Sequence, residues 1–394
     1  MKTNMPIKNW LPLVGMTCAA FIFNTSEFVP IGLLSDIAQD FHKTEAETGM
    51  IISVYAWMVC LLSLPLMLLV SKMEMRKLLL WVIGGFIFFQ VMSYASTGYY
   101  MLMASRIGVA CAHAIFWSIA SPIAVRIVPE KCKAIALSMI VTGTSVAMIF
   151  GLPLGRIIGL RIGWRMTFLC IGIFALLVFF YLLWDLPKIP SRGGFSVRKM
   201  PELIKNPLLV SMYVLSLALA TSYYTGYSYI EPFLKQVTGM PDGLITLTLM
   251  IFGGAGIVRS LLFSKYYARS PFRFTTLILS GVTLCLLGIR PLDFSSYLTI
   301  GLCALWGLSV TAFNVALQDE IINNSPQEGT AVSMSIFSGI FNLGIGCGTL
   351  VGGAVCTYSS IEYIGCAGGI LALFTLIYWR KRVMPLLRIA KKRT

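Results

Sequence analysis

Apolar residues fill this chain in runs of roughly 20, separated by short charged or Pro/Gly-containing breaks. A helix of about 20 apolar residues crosses the hydrocarbon of a bilayer, whereas barrel strands leave shorter, alternating segments. Twelve such runs lie near 11–34, 47–70, 78–97, 100–127, 134–159, 166–186, 208–234, 243–265, 273–290, 296–321, 330–354 and 361–380. The pattern predicts an all-α membrane protein with twelve transmembrane helices. The first run is too long, and too polar in its middle, for a simple signal peptide. No small-residue cleavage site clearly follows it, so it is read as a retained span.

The breaks alternate in charge. The first, "SDIAQDFHKTEAE", is acid-rich, and the second carries Lys72, Arg76 and Lys77. The fourth carries Arg126, Lys131 and Lys133, the eighth Lys265, Arg269 and Arg273, and the C-terminal tail is "WRKRVMPLLRIAKKRT". Basic residues in even-numbered loops and at the ends place both termini in the cytoplasm, which requires an even number of spans. The tenth loop, with Asp319, Glu320 and Glu328, departs from this alternation, but acids weigh little in the rule. The sixth loop is the longest polar break and is basic. It divides the chain into an N-terminal six-helix bundle (1–187), a cytoplasmic linker (188–206) and a C-terminal six-helix bundle with a basic cytoplasmic tail (207–394). The halves resemble each other: "ALSMIVTGTSVAMIFG" (Ala136–Gly151) lies on "AVSMSIFSGIFNLGIG" (Ala331–Gly346) without a gap. "SEFVP" at Ser26 lies on "SYIEP" at Ser228 with the prolines in register. Both matches run in the same order, the pattern of a parallel six-plus-six repeat.

Composition then narrows the function. Of 394 residues 57% are hydrophobic and only 12% charged, about half the usual charge of a soluble domain. The net charge of +15 sits in loops and tails, so it reads as membrane orientation and not as a nucleic-acid surface. Ten cysteines are scattered with no CxxC pair, and the two histidines are His42 and His113. The cysteines read as small packing residues, and neither a metal nor another cofactor is expected. There is no GxxxxGK[ST], HExxH or GxSxG motif. An ATP-driven pump and an enzyme are therefore disfavoured, and either an ion gradient supplies the energy or transport is downhill. A membrane-embedded enzyme or a channel remains as the reading of a different class.

Glu27 is the only charged side chain between Leu11 and Leu34. An ionised carboxylate in hydrocarbon costs several kcal/mol. It must face a wet cavity, pair with a cation or hold a proton, and such a group can load and release protons. Otherwise it locks the first span to a neighbour. Asn24, three residues earlier on the same helix face, either holds this carboxyl or binds a polar ligand. In the fourth span Arg106, Ala110, His113 and Trp117 share one stripe. His113 can form a proton-sensitive pair with Glu27, or it is a neutral histidine bonded to another helix. Arg106 must pair or face water. Trp117 offers a stacking face to a sugar or drug, or packs. Gly143, Gly151, Gly155 and Gly159 line one face of the fifth span, where small residues allow close helix approach, and Pro153 kinks it. The seventh span, "TSYYTGYSYIEPF", carries four tyrosines and Glu231, suited to a cavity or an interfacial belt. The repeat sets Tyr229 opposite Glu27, which makes Tyr229 the preferred cavity residue. Asn314 and Asn342 either bind ligand or bridge helices.

The segments "FIFNTSEFVPIGLLSDIAQDF", "ISVYAWMVCLLSLPLMLL", "SRIGVACAHAIFWSIA", "GLPLGRIIG" with "GWRMTF", "YSYIEPF" and "FSGIFNLGIG" resemble the major facilitator superfamily. Within it they are similar to the twelve-span drug/proton antiporter branch, and more closely to bacterial sugar efflux transporters. The resemblance implies two six-helix bundles that rock in alternating access. It also implies proton-coupled efflux of small sugars or sugar analogues, arabinose- or thiogalactoside-like, across the bacterial inner membrane. The same mechanism acting on hydrophobic drugs is the alternative. Glu27 and His113 match proton-coupling positions. Arg106 matches the arginine of the fourth-span motif. Gly143, Gly151, Pro153 and Gly155 match the antiporter motif, and Asn342 matches a polar position of the sugar cavity. With Asn24, Trp117, Tyr229 and Asn314 these form the expected substrate and coupling groups. Partners are then a small-molecule substrate, protons and the lipid bilayer, with no nucleic acid, and the protein is expected to be a monomer. The family's loop between spans two and three runs Gly-x-Leu-Ala-Asp-Arg-x-Gly-Arg-Lys, and here it reads "LLVSKMEMRK". Arg76 and Lys77 remain, but Lys72 replaces the aspartate and Met75 the glycine. Glu74 is the candidate stand-in for the acid of the loop's latch.

Overall fold

A computed structural model describes residues 7–70, 72–190, 205–262, 270–325 and 330–393. Most of the sixth loop, and Lys265, Arg269 and Glu328, lie outside the described residues. The described residues are helical and contain no strand. In chain order the α-helices are α1 Ile7–Gly32, α2 Leu34–Asp40, α3 Glu45–Val70, α4 Met75–Tyr94, α5 Tyr99–Arg126, α6 Lys133–Val146, α7 Leu152–Ile162 and α8 Trp164–Asp185. They continue with α9 Pro207–Tyr227, α10 Ile230–Gln236, α11 Asp242–Leu262, α12 Pro271–Gly288, α13 Ser296–Asn323, α14 Thr330–Tyr358, α15 Ile364–Tyr378 and α16 Met384–Arg393. Among the described residues, 11 helical stretches are long and apolar enough to cross a membrane. The shorter apolar stretch Asp242–Ala255, in α11, completes the succession expected from the hydrophobic pattern.

Two expected spans are broken, both by proline. The fifth is α6, a π turn at Ala147–Gly151 and then α7, with Pro153 at its start. Pro153 has no N–H and its ring crowds the carbonyl four residues back; the wider π turn accommodates this. The seventh breaks between α9 and α10 at Ser228 and Tyr229, four and three residues before Pro232, for the same reason.

The helices gather into two compact units. One holds Met1–Asp36 and Met58–Phe195; the other holds Ile37–Trp57 and Ser196–Thr394. In the first unit α1 packs on α6, α7 and α8, α4 on α5 and α8, and α5 on α6. In the second, α9 packs on α14 and α15, α12 on α13 and α15, and α13 on α14. First span on fifth and sixth, third on fourth and sixth, fourth on fifth: the same neighbours recur, as a six-plus-six repeat requires. The start of α3 sorts with the second unit, where Gln236 Nε2 donates to Glu45 Oε1 at 2.6 Å and Gly49 lies against the Tyr229 ring.

Small residues set the closest approaches. Gly143, Gly151 and Gly155 face Ala20, Thr25 and Val29 of α1 in turn, and Gly159 faces Leu33 just past its end, so the fifth span runs parallel to the first. The second unit repeats this with Gly344, Gly348 and Gly352, which face Ala220, Thr221 and Thr225 of α9. A methyl group at any of these glycines would overlap the facing atoms. Gly155→Leu is therefore expected to destabilise the protein by about 1–3 kcal/mol through overpacking. Gly85→Leu, where the added Cβ meets nothing within 4 Å, is expected to leave it unchanged. Thermal unfolding of the purified variants in one detergent checks the contrast.

Candidate functional site

The first unit brings Glu27, Arg106, His113 and Trp117 together around α1 and α5. Pro30 lies four residues after Ser26 and has no N–H, so the Ser26 carbonyl loses its backbone donor within α1. Arg106 supplies the missing donor: its Nη2 bonds Ser26 O at 2.8 Å, and its Nη1 bonds Ser26 Oγ at 3.1 Å. Gln90 of α4 donates to the same hydroxyl at 2.5 Å. The guanidinium is 1% exposed and its Cζ sits 5.6 Å from the centre of the Phe168 ring. A buried cation needs hydrogen bonds and a counter-charge. Here the bonds go to Ser26, and the carboxylate of Glu27 is one residue further on.

Glu27 Oε2 lies 3.7 Å from His113 Nε2, with the two side chains 11% and 4% exposed. This is within ion-pair reach and longer than a direct hydrogen bond. Arg106 is in electrostatic reach of both. Aromatic rings wall the pair. Phe23 stacks on Phe116 with centroids 4.1 Å apart and lies tilted at 36° against Phe86 at 4.2 Å, and Trp117 stands 6.0 Å from the His113 ring. Trp117 is half-buried, so part of its face remains open. Asn24 turns towards the fifth span, with Nδ2 donating to Thr144 O at 3.4 Å. The buried Arg156 donates to Gly32 O and so satisfies the end of α1.

At the start of α4, Glu74 is the N-cap. Its Oε1 accepts from Arg76 N at 3.3 Å and from Ile189 N at 2.8 Å. Arg76 Nη2 donates to Leu183 O at 2.5 Å, while Lys72 and Lys77 are exposed. Arg126 of α5 reaches Pro190 O at 3.1 Å. This loop is thus anchored to the end of α8 through backbone groups.

The second unit holds the remaining expected residues. Tyr229 is buried; its hydroxyl donates to Thr349 O at 3.0 Å, and its ring lies against Gly49, Gly352 and Gly353. Beside it Ser228 Oγ meets Thr349 Oγ1 at 2.7 Å. Asn342 donates to Ser338 O of its own helix at 3.0 Å, and Asn314 accepts from Gln318 at 2.5 Å. The tyrosines of α9 join an aromatic cluster. Tyr227 stacks on Tyr223 at 4.9 Å and on Phe252 at 4.7 Å, with the Trp306 ring edge-on to all three. Sequence reasoning missed Ser26, Gln90 and Arg156. The signals were present: a proline four residues after Ser26, the one amide in the run 78–97, and an arginine inside "GLPLGR".

The sequence profile of the Major Facilitator Superfamily matches residues 16–338. Among solved structures, a bacterial homologue of the human lysosomal transporter Spinster, inward-facing and occupied, is similar at 16% identity. The match covers 93% of this chain and 95% of that one, with a TM-score of 0.74. The unoccupied inward-facing form gives 15% identity, 97% and 98% coverage and a TM-score of 0.76. The human organic anion transporter TETRAN gives 13% identity, 95% and 99% coverage and 0.68.

The Ser26 carbonyl makes a double-mutant test. Arg106→Met is expected to destabilise the protein by about 1–3 kcal/mol, because a buried acceptor loses its donor. Adding Pro30→Ala restores an N–H four residues after Ser26 and is expected to recover part of that loss. Thermal unfolding of the single and double variants measures the recovery, and strict additivity would sever the link between Pro30 and Arg106.

Proposed function

The chain belongs to the Major Facilitator Superfamily, and on that premise we propose that it exports small sugars or sugar analogues in exchange for protons. It is a multi-pass membrane transporter by family and helix content. The single observation that carries the proton reading is Glu27 facing His113 at 3.7 Å beside the buried Arg106. One carboxyl and one imidazole, held in an aromatic wall, can take a proton from one side of the membrane and give it to the other. A fixed cation next to them favours the deprotonated carboxylate once water or a polar solute enters. Proton entry on one face then drives solute out on the other.

In this reading Asn24, Arg106, Trp117, Tyr229, Asn314 and Asn342 are the polar and stacking groups offered to a sugar. Asn24, Tyr229 and Asn342, now bonded to backbone carbonyls, would exchange these partners for ligand hydroxyls, while Arg106 keeps its bonds to Ser26. The glycine ladder with Pro153 is the surface on which helices rock, and Arg76 and Lys77 belong to the cytoplasmic loop motif. Both termini lie in the cytoplasm of a bacterial inner membrane, and the functional domains are 1–187 and 207–394 joined by 188–206. The aromatic cluster of Tyr223, Tyr227, Phe252 and Trp306 favours hydrophobic drugs as the second substrate class.

The test is arabinose or thiogalactoside flux in proteoliposomes under an imposed pH gradient, wild type beside Glu27→Gln. Uphill flux is expected in the wild type and is expected to fall to background in the variant. Flux that ignores the gradient removes proton coupling. No flux of either sugar by folded protein turns the substrate assignment to hydrophobic drugs in the same assay.

A further inference from the structure

The helical stretch of the last span runs on past its apolar part. It passes from α15 through a π turn at Trp379–Val383 into α16. One face of this extension is docked. Trp379, Val383 and Leu387 are buried, and Trp379 Nε1 donates to Thr276 Oγ1 of α12 at 2.9 Å. Lys391 Nζ pairs with Glu320 Oε1 of α13 at 2.6 Å, and the Glu320 side chain is only 8% exposed. Arg388 and Lys391 both approach the Phe272 ring, at 5.3 and 5.5 Å from its centre. The acidic tenth loop, anomalous among basic neighbours, thus has a reason: one of its acids anchors the tail.

The other face carries exposed Arg380, Lys381 and Arg382, with Ile389 also exposed and Arg388, exposed but reaching Phe272, at its border with the docked face. From residue 380 to 393 the sequence has seven Lys or Arg and no acid. Because α15 is a span, these side chains sit at the depth where headgroups begin. Basic residues there gain about 1 kcal/mol each from an anionic leaflet, and an amphipathic helix lies in that plane. We propose that the π turn Trp379–Val383 and α16 together form a strap whose outward basic face binds the phosphates of anionic phospholipids, so that lipid charge sets how firmly the strap holds α12 and α13. The ion pair Lys391–Glu320 fixes the strap's inner edge; the headgroups cover its outer face. This assignment holds whichever solute is carried, so it stands or falls apart from the sugar and proton reading.

Hydrogen exchange of the peptide covering residues 379–391 tests it, on the full chain in nanodiscs of phosphatidylcholine with or without phosphatidylglycerol. Phosphatidylglycerol is expected to slow exchange there by about tenfold or more. Combined Arg380→Gln, Lys381→Gln, Arg382→Gln and Arg388→Gln is expected to abolish that lipid dependence. Glu320→Gln is expected to speed exchange in both lipids while keeping the dependence, because it loosens only the inner edge. Equal exchange in the two lipids overturns the proposal. So does a lipid dependence that survives the fourfold variant or disappears in Glu320→Gln. If inorganic phosphate added to phosphatidylcholine nanodiscs protects as well as phosphatidylglycerol, the face is a free-anion site and the headgroup assignment is overturned.

Discussion

A proline leaves the carbonyl of Ser26 without a backbone donor, and the guanidinium of Arg106 takes that place. In hydrocarbon an unsatisfied carbonyl and an uncompensated cation each cost several kcal/mol. Joining the two gives the carbonyl its donor and the guanidinium an acceptor at once. The join also ties α1 to α5 at the residue before Glu27, and it fixes the distance from Glu27 to His113, seven residues after Arg106 on α5. Gln90 draws α4 into the same node through the Ser26 hydroxyl. Three helices thereby meet at one serine, and the coupling pair proposed above inherits its geometry from that serine.

The rest of the architecture follows from how closely helices can approach. Where water is absent, no hydrophobic force draws helices together, so contact area and small residues decide. The ladder Gly143, Gly151, Gly155 and Gly159 lets α6 and α7 lie on α1, and Gly344, Gly348 and Gly352 let α14 lie on α9. A smooth glycine face holds two helices without locking their side chains together. Such a face is well suited to the rocking proposed for transport. The π turn before Pro153 sits within the first of these faces, which places a soft segment of backbone beside Thr25.

Much of this was legible in the sequence, and the reasons differ by residue. The runs of apolar residues gave the helices, because hydrocarbon thickness imposes one length on all of them. Glu27, Arg106 and His113 stood out because charge in an apolar run demands a partner, and the helical repeat put Arg106 and His113 on one stripe. The repeated "SEFVP" and "SYIEP" pointed to the pairing of spans that recurs in both units. Tyr229 was less legible: the repeat marks its position opposite Glu27, but its hydroxyl bond to Thr349 depends on a helix 120 residues away. The pairing of Glu320 with Lys391 and the clustering of Ile37–Trp57 with the second unit are likewise long-range outcomes of packing. Local pattern carries no record of them. The break at Ser228 and the π turn at Ala147 were half-visible, since proline announces a disturbance and leaves its form to the surrounding helices.

The central claim is that Glu27 carries the proton exchanged for solute. The most direct measurement is proton release in weakly buffered detergent solution when the transported sugar is added, comparing wild type with Glu27→Gln. The account predicts release from the wild type and none from the variant, with the sugar still bound. Equal release from both proteins would contradict it and move the exchanged proton to another group.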